Sequence, residues 1–476
     1  MMLSAVALSL SLFTAIMTPA ECALACAGHA ASIGQQAANQ TRYLHSSAAD
    51  EDGRKRDWVA VTYLLNMASQ NRILYRPAVM AGGEIIVVDL AAISDPNDPK
   101  SYERIFETWE RLASDDFYSH VKTQIAVVEV DKKAKAGEKA EPKAVTVPGG
   151  WCAEELAKLN EATGSQGAML RVDYFISRAG AEEYNALAGV NATLDQELAA
   201  FGVDENVVAK LQGQVAANIA RSNVRTGRAP RRIVALPGVH GPVIFTLDNA
   251  KDNAAGNPFA FPASVNEVQR FRADAYEVFS LGGNGFWKTS VFDGNRKIVA
   301  EVPNNIAQDK FGDKIIRNGV GCVRCHSSDG GTAGVQAFAD QQAKLNRKGI
   351  KSYDPQVLAA ILATYDEGRM AKLLKRSQED HHDAVVSACG TKTPDEAVLM
   401  LSEVFSQYRD ADVTLSVAAH EVCLTPVEFA EVMQGALDPG GIINLILDGD
   451  PVSRGQWEPT YAECALLAEK HRKGDK

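Results

Sequence analysis

The residues with the clearest chemical pattern lie at positions 322–326, where the sequence reads Cys-Val-Arg-Cys-His. Two cysteines three positions apart lie on one face of a helical turn, so their sulfur atoms point to the same side. Sulfurs placed in this way can form thioether bonds to both vinyl groups on one edge of a haem, and the histidine that follows can bind the iron. The pattern C-x-x-C-H therefore predicts one covalent haem c, held by Cys322 and Cys325, with His326 as the proximal iron ligand.

Three other uses of this motif fit the sequence less well. A structural zinc site would use adjacent Cys325 and His326, which are poor joint ligands, and no second C-x-x-C or H-x-x-x-H pair completes the set. A thioredoxin-like redox pair needs a strand that leads into the motif, and residues 315–321 do not clearly supply one. A plain disulfide between cysteines this close is uncommon. Covalent haem is the interpretation we carry forward.

The sequence leaves the sixth iron ligand open. The candidates after the motif are Met370, Met400, Met433, His381, His382 and His420. Met370 and Met400 lie in helical apolar settings typical of core packing, and the acidic neighbours of His381 and His382 are typical of a solvated helix face. A methionine ligand would raise the redox potential relative to a second histidine, whereas an open position would permit small-ligand binding or peroxide chemistry.

Composition excludes several classes of protein. Of 476 residues, 46% are hydrophobic and 23% are charged, which excludes a disordered chain and a protein of many membrane spans. The 49 Lys and Arg residues against 60 Asp and Glu give a net charge of −11, which argues against a nucleic-acid partner.

The first 25 residues have the pattern of a secretory signal. Residues 3–17 form an uncharged apolar run, and Ala23-Leu24-Ala25 supplies a small-x-small cleavage site, although no basic residue precedes Arg42. We therefore expect a signal peptide over 1–25, a periplasmic or otherwise exported protein, and no transmembrane anchor once the signal is removed. The alternative for this run is a buried core helix. Cleavage after Ala25 would place Cys26 first, where lipidation is a further alternative.

The periodicity of the remaining chain predicts an α+β protein in three parts. Residues 26–53 are polar and weakly patterned, as in an N-terminal arm. Residues 54–312 are mixed α and β with no assigned function, and residues 313–476 form a haem-binding, all-α, cytochrome c-like region of four or five short helices. The strands predicted are Glu84–Leu90, Ala168–Ser177, Ile233–Leu236, Val243–Leu247 and Ala275–Leu281, with a hairpin over 284–301 that turns at Asp293-Gly294-Asn295. The C-terminal helices predicted are Pro355–Lys375, Pro394–Tyr408, Val413–Val422 and Thr425–Leu437.

Three further features have less specific interpretations. The Lys-rich tract 131–144 is typical of a solvated loop. The arginines at 221, 225, 228, 231 and 232 indicate either a solvated loop or a basic surface for haem propionates or an acidic redox partner. The dispersed Cys152, Cys389, Cys423 and Cys464 allow two disulfides in an oxidising compartment, with Cys389–Cys423 the first pairing to test.

Three short stretches resemble a bacterial family of exported, single-haem cytochrome c-like proteins with a long mixed α/β region before the haem motif. Phe279–Leu281 with Asn284-Gly285 resembles its F-x-L-P-N-G element, Pro303–Asp309 resembles P-x-x-I-V-x-D, and Asn318–His326 resembles N-G-x-S-C-x-x-C-H. Gly282-Gly283 replaces the proline of the first element, and Gly321 replaces the serine of the third. The resemblance implies haem binding and single-electron transfer between donor and acceptor proteins that it does not identify.

Two other functions stay open at this point. One is a haem enzyme or small-ligand sensor, peroxidase-like, with an open sixth iron position. The other is a binding protein whose N-terminal region recognises a ligand. No motif in the chain supplies a nucleophile with its base, so we name no catalytic residue beyond the haem-binding set.

Overall fold

The structure is a computed structural model. It describes residues 17, 19–46, 48, 50–115, 123–127, 143–147, 153–203, 215–219, 231–248, 250, 273–309, 314–327, 367–422, 424–434, 436 and 441–472. The h-region of the predicted signal, most of the Lys-rich tract 131–144, and Cys152 and Cys423 lie outside these residues. The described part is a mixed α+β protein, as expected from the sequence.

Helices and strands alternate irregularly up to residue 293, and the elements described after that residue are helices. The helices are α1 (Pro19–Ile33), α2 (Gln35–Gln40), α3 (Glu51–Ala68), α4 (Leu90–Ile93), α5 (Pro99–Asp115), α6 (Ala153–Thr163), α7 (Val172–Ala179), α8 (Tyr184–Leu187), α9 (Leu194–Ala200), α10 (Val320–Ser327), α11 (Glu367–Cys389), α12 (Pro394–Arg409), α13 (Leu415–Glu421), α14 (Pro426–Met433), α15 (Ile442–Asp448) and α16 (Arg454–Arg472). The strands are β1 (Thr41–His45), β2 (Ala78–Met80), β3 (Ile85–Asp89), β4 (Thr123–Val127), β5 (Lys143–Val147), β6 (Met169–Arg171), β7 (Val215–Ile219), β8 (Arg231–Pro237), β9 (Pro242–Asp248), β10 (Ala275–Leu281) and β11 (Trp287–Asp293).

The strands form two larger sheets and one hairpin. The first sheet has the order β2-β3-β1-β6, in which only the β1–β6 pair is parallel. The second is a five-stranded antiparallel sheet in the order β11-β10-β9-β8-β7, and β4 pairs with β5 alone. The chain also turns at residues 293–297, as predicted, and Phe292 bridges to Ile298 after the turn.

The five-stranded sheet is covered on both faces, and this arrangement positions α10, the motif helix, which contains residues 322–326. Alternate residues of a strand point to opposite faces, so Ile233 and Ala235 face one side while Val234 and Leu236 face the other. The face of Val234 packs against α9, and the face of Ile233 packs against Cys322 of α10 and Leu374 of α11. The C-x-x-C-H motif therefore lies directly on a sheet of the preceding region.

One hydrophobic core joins the two regions that the sequence separates at residue 312. It contains Leu44 of β1, Phe175 of α7, Val320 of α10 and Phe405 of α12, among other buried residues. Apolar side chains from both sides of the predicted boundary are thus buried in one core, so the C-terminal helices pack on the α/β region.

Two local predictions are wrong. The run 168–177 is a strand only over β6 and continues as helix α7, whose apolar residues at 172, 175, 176 and 179 recur with helical spacing. The polar segment 26–53 is not an arm throughout, since all five residues of β1 are buried in the centre of a sheet.

The N-terminal helix α1 is part of the fold. Cys22 and Cys26 are buried in a second core with the C-terminal helices, and the backbone N–H of Met17 donates to Glu84 Oε2 at 2.8 Å. The predicted cleavage site after Ala25 lies inside this helix.

Two of the C-terminal helices, α12 and α14, begin where the sequence places their caps. The Thr393 side chain accepts from the backbone N–H of Glu396 at the start of α12, and Thr425 and Glu428 form a reciprocal capping box at the start of α14.

Among the described residues, no helix combines the length and the apolar composition that crossing a membrane requires.

Candidate haem-attachment site

A buried asparagine organises the entry to the motif helix. Asn318 is 0% exposed, and its Oδ1 accepts from Thr289 Oγ1 and from the backbone N–H of Gly319, each at 2.9 Å. Its Nδ2 donates to Asn185 Oδ1. The Asn318 side chain therefore ties strand β11 and helix α8 to the first turn of α10.

Gly319 allows this turn to form. Its φ is +81°, a left-handed conformation that disfavours side chains. A Cβ at this position would lie 2.6 Å from the Tyr184 ring and 2.7 Å from the carbonyl oxygen of Gly180. The next residue, Val320, donates its N–H to that same carbonyl at 2.9 Å. A residue larger than glycine at 319 would therefore displace the start of α10 and break this hydrogen bond.

The motif itself is helical, as its spacing predicts. Helix α10 carries Cys322, Cys325 and His326, and the side chain of Cys322 is 1% exposed. Its Sγ lies 3.8 Å from Asn318 Oδ1 and 4.0 Å from the carbonyl oxygen of Arg317. The side chains of Cys325 and His326 lie outside the described residues, so the structure defines the side chain of Cys322 and only the backbone of the other two residues.

Cys322 faces an apolar wall built mainly by the five-stranded sheet. The buried residues of this cluster are Ile233, Ala235, Ile244, Phe279, Leu281, Trp287, Val291 and Leu374. Phe279 and Leu281 come from the F-x-L-like element, so two of the three stretches that carry the family resemblance meet in space. Flat aliphatic and aromatic surface of this kind suits the macrocycle of a haem.

One polar atom in the wall has no partner. Trp287 is 3% exposed, and its indole Nε1 is buried without a hydrogen-bond acceptor among the described residues. A buried hydrogen-bond donor without an acceptor destabilises the folded state by about 1–3 kcal/mol, so an acceptor on a bound group would recover that energy. An indole N–H can donate only, which makes a carboxylate a suitable acceptor.

Arginines lie on the other side of the motif helix. The guanidinium of Arg324 lies 5.2 Å from the centroid of the Phe405 ring, and Arg409 lies at the same distance from that ring. Arg409 also pairs with Glu182 and donates to the carbonyl oxygen of Ser177 at 3.0 Å. Burial alone would raise the pKa of Glu182, but its hydrogen bond to Arg409 and the charges of Arg409 and Arg178 hold that pKa below its usual range. The Arg324 side chain therefore packs on the Phe405 ring, which it shares with Arg409.

The candidate sixth ligands fall into three groups. Met400 packs at the edge of the first core and Met433 is buried in the second, so neither belongs to the cluster around Cys322. The side chains of Met370 and His420 lie outside the described residues. His382 is exposed, whereas His381 is 1% exposed, which corrects the prediction that both lie on a solvated face.

Helical spacing gives the reason for that correction. Leu374, Ser377, His381, Ala384 and Ala388 are all buried and recur every three or four residues along α11. The acidic residues beside the histidine pair belong to the opposite, exposed face. This period is present in the sequence and would have identified His381 as buried.

Two further predictions can be checked in part. Cys389 is a free thiol in the structure, so the suggested pairing with Cys423 finds no support, and burial raises the pKa of the Cys389 thiol to about 12. Of the arginines at 221–232, Arg232 is buried on β8 and so does not belong to a solvated loop, and those at 221, 225 and 228 lie outside the described residues.

The chain has no match to the model of any known protein family, to any curated protein or to any solved structure.

Proposed function

We propose that this protein is an exported c-type cytochrome. Cys322 and Cys325 hold one haem by thioether bonds, His326 is the proximal ligand, and the protein carries single electrons between a donor and an acceptor protein. The observation that carries the proposal is the helix Val320–Ser327, which presents a C-x-x-C-H motif with its first cysteine buried against an apolar wall.

The described residues fit a haem in three ways. The apolar cluster at Cys322 matches the apolar ring system of the group. The unpartnered Trp287 Nε1 at this wall matches a propionate oxygen, which is an acceptor. Helix α10 begins at a buried hydrogen-bond network centred on Asn318, which holds the first attachment position against the sheet.

Each part of the site has a separate task in this proposal. The iron of a bound haem supplies one-electron chemistry by changing between its ferrous and ferric states. The two cysteines fix the position of the ring, and His326 donates an imidazole nitrogen to the iron. The sheet wall excludes water, which favours the less charged oxidation state, and the tie of Asn318 to Thr289 limits the motion of the helix.

The cysteines are tested by expression in a host that matures c-type cytochromes. We expect the denatured wild-type protein to retain a haem absorption band and the variant Cys322→Ala with Cys325→Ala to lose it. Cys389→Ala is the matched control, because it removes another buried thiol and leaves the motif intact. Wild-type protein without covalent haem, or a double variant that keeps it, would contradict the proposal.

The function is tested on the same protein by its reduced spectrum with and without carbon monoxide. An unchanged spectrum supports electron transfer at a six-coordinate iron. Ready binding of the gas would instead favour the haem enzyme or small-ligand sensor with an open sixth position.

A further inference from the structure

His381 is a buried histidine that the proposed attachment site does not use. Its Nδ1 lies 3.1 Å from the carbonyl oxygen of Gly285 in the turn between β10 and β11. Its Nε2 is buried and has no hydrogen-bond partner among the described residues. The ring packs edge-on against Phe286, with the two centroids 5.7 Å apart.

These contacts define the chemical state of the ring. A carbonyl oxygen accepts only, so Nδ1 carries the proton and Nε2 presents a lone pair. An imidazole with Nδ1–H on a backbone carbonyl and an unprotonated Nε2 is the arrangement that proteins use to orient a histidine toward a metal.

Helix α11 carries His381 on the face that also contacts the Cys322 wall. Leu374 belongs to that wall and precedes His381 by seven residues, which is two helical turns on the same face and a rise of about 10 Å.

Strand β11 makes a second connection between the two sites. Gly285 binds His381, and Thr289, four residues later and about 13 Å along an extended chain, binds Asn318 at the motif helix. Trp287, with its unpartnered indole nitrogen, lies between them.

The turn at Gly285 is built for a close approach to α11. Its φ is +82°, and a Cβ there would lie 2.7 Å from the Ala384 side chain. The glycine therefore lets the turn carbonyl reach the histidine, and the orientation of the ring is fixed by backbone geometry.

We propose that His381 Nε2 would be the sixth ligand of the iron in a haem held by Cys322, Cys325 and His326. This inference rests on the proposed function, because it requires a haem on Cys322 and Cys325. His381 then completes an iron with two histidine ligands, which has a lower redox potential than an iron with histidine and methionine.

The test compares two neighbouring histidines in haem-loaded protein. We expect wild-type protein to show the spectrum of low-spin, six-coordinate iron and no reaction with carbon monoxide. His381→Ala should give high-spin iron that binds the gas, and added imidazole should restore the low-spin spectrum. His382→Ala is the control and should match wild type, because His382 is exposed.

The outcomes separate this inference from the proposal beneath it. Covalent haem with an unchanged low-spin spectrum in His381→Ala overturns the inference and leaves haem attachment standing, as does wild-type protein that already binds carbon monoxide. Protein without covalent haem overturns the proposed function first.

A second variant covers the case in which His381→Ala fails to fold. His381→Met should keep a six-coordinate iron and raise the redox potential, because a thioether replaces an imidazole. A potential equal to that of wild type would overturn the inference.

Discussion

The side chain of Asn318 should contribute measurably to the stability of the motif helix. Asn318→Ala removes three hydrogen bonds, two accepted by Oδ1 and one donated by Nδ2. At about 1 kcal/mol each, this amounts to about 3 kcal/mol. Thr289 Oγ1 already lies 3.2 Å from the Gly319 N–H, so these two groups still satisfy each other and the expected loss is about 2–3 kcal/mol.

Urea denaturation followed by circular dichroism measures this loss, and hydrogen exchange at the amides of residues 319–322 locates it. Asn295→Ala is the matched control, since Asn295 lies exposed in the turn after β11. We expect faster exchange at the start of α10 in Asn318→Ala and no change in the control. Free energies of unfolding that agree within about 0.5 kcal/mol for the two variants would refute the role assigned to Asn318.

Three other changes have expected outcomes. Gly319→Ala should lower the free energy of unfolding by about 3 kcal/mol, because alanine is strained at a positive φ and the added methyl has no room; thermal unfolding measures it. Burial raises the pKa of Asp57 to about 6, so the charge of its carboxylate destabilises the folded state at neutral pH. The free energy of unfolding of Asp57→Asn should exceed that of wild type by up to about 3 kcal/mol at pH 7.5, and the difference should vanish near pH 4. A chain without residues 1–25 should be about 2 kcal/mol less stable than one without residues 1–16, because it lacks the buried Cys22; equal melting temperatures would contradict this.

The sign for Asp57 follows from proton linkage. Its carboxyl binds a proton more tightly in the folded state than in the unfolded state, so the folded state gains stability as pH falls from about 6 toward the unfolded value of about 4. His381 acts in the opposite direction. Its pKa is lowered to about 4, so the unfolded chain takes the proton first and stability is lost as pH falls below about 6.5.

Local patterns in the sequence predicted the parts of the fold that depend on local signals. Strands β8, β9 and β10 and helix α12 with its threonine cap all lie within a few residues of their predicted bounds, whereas strand β7 was not predicted. Each has a period or a capping residue that operates within one element.

The predictions failed where strand-favouring residue types or buried polar residues hid the local pattern. Helix α7 is rich in β-branched and aromatic residues, which favoured a strand although its apolar positions recur with helical spacing. Strand β1 was missed for a different reason. Its Arg42 is polar in sequence but fully buried, paired with Glu110 at 3.3 Å across the chain, and no local signal reveals that partner.

The candidate site divides in the same way. The spacing of the cysteines identified the attachment motif without any tertiary information. The wall at Cys322 joins residues as far apart in sequence as Ile233 and Leu374, and the contact between His381 and Gly285 also joins distant parts of the chain. Only the fold brings them together.

The central claim is tested most directly by the intact mass of the denatured, reduced protein after expression in a host that matures c-type cytochromes. The account predicts a mass increased by one haem, with Cys322 and Cys325 unreactive toward a thiol reagent that labels Cys389. A polypeptide without the added haem, with both motif cysteines labelled, would contradict it.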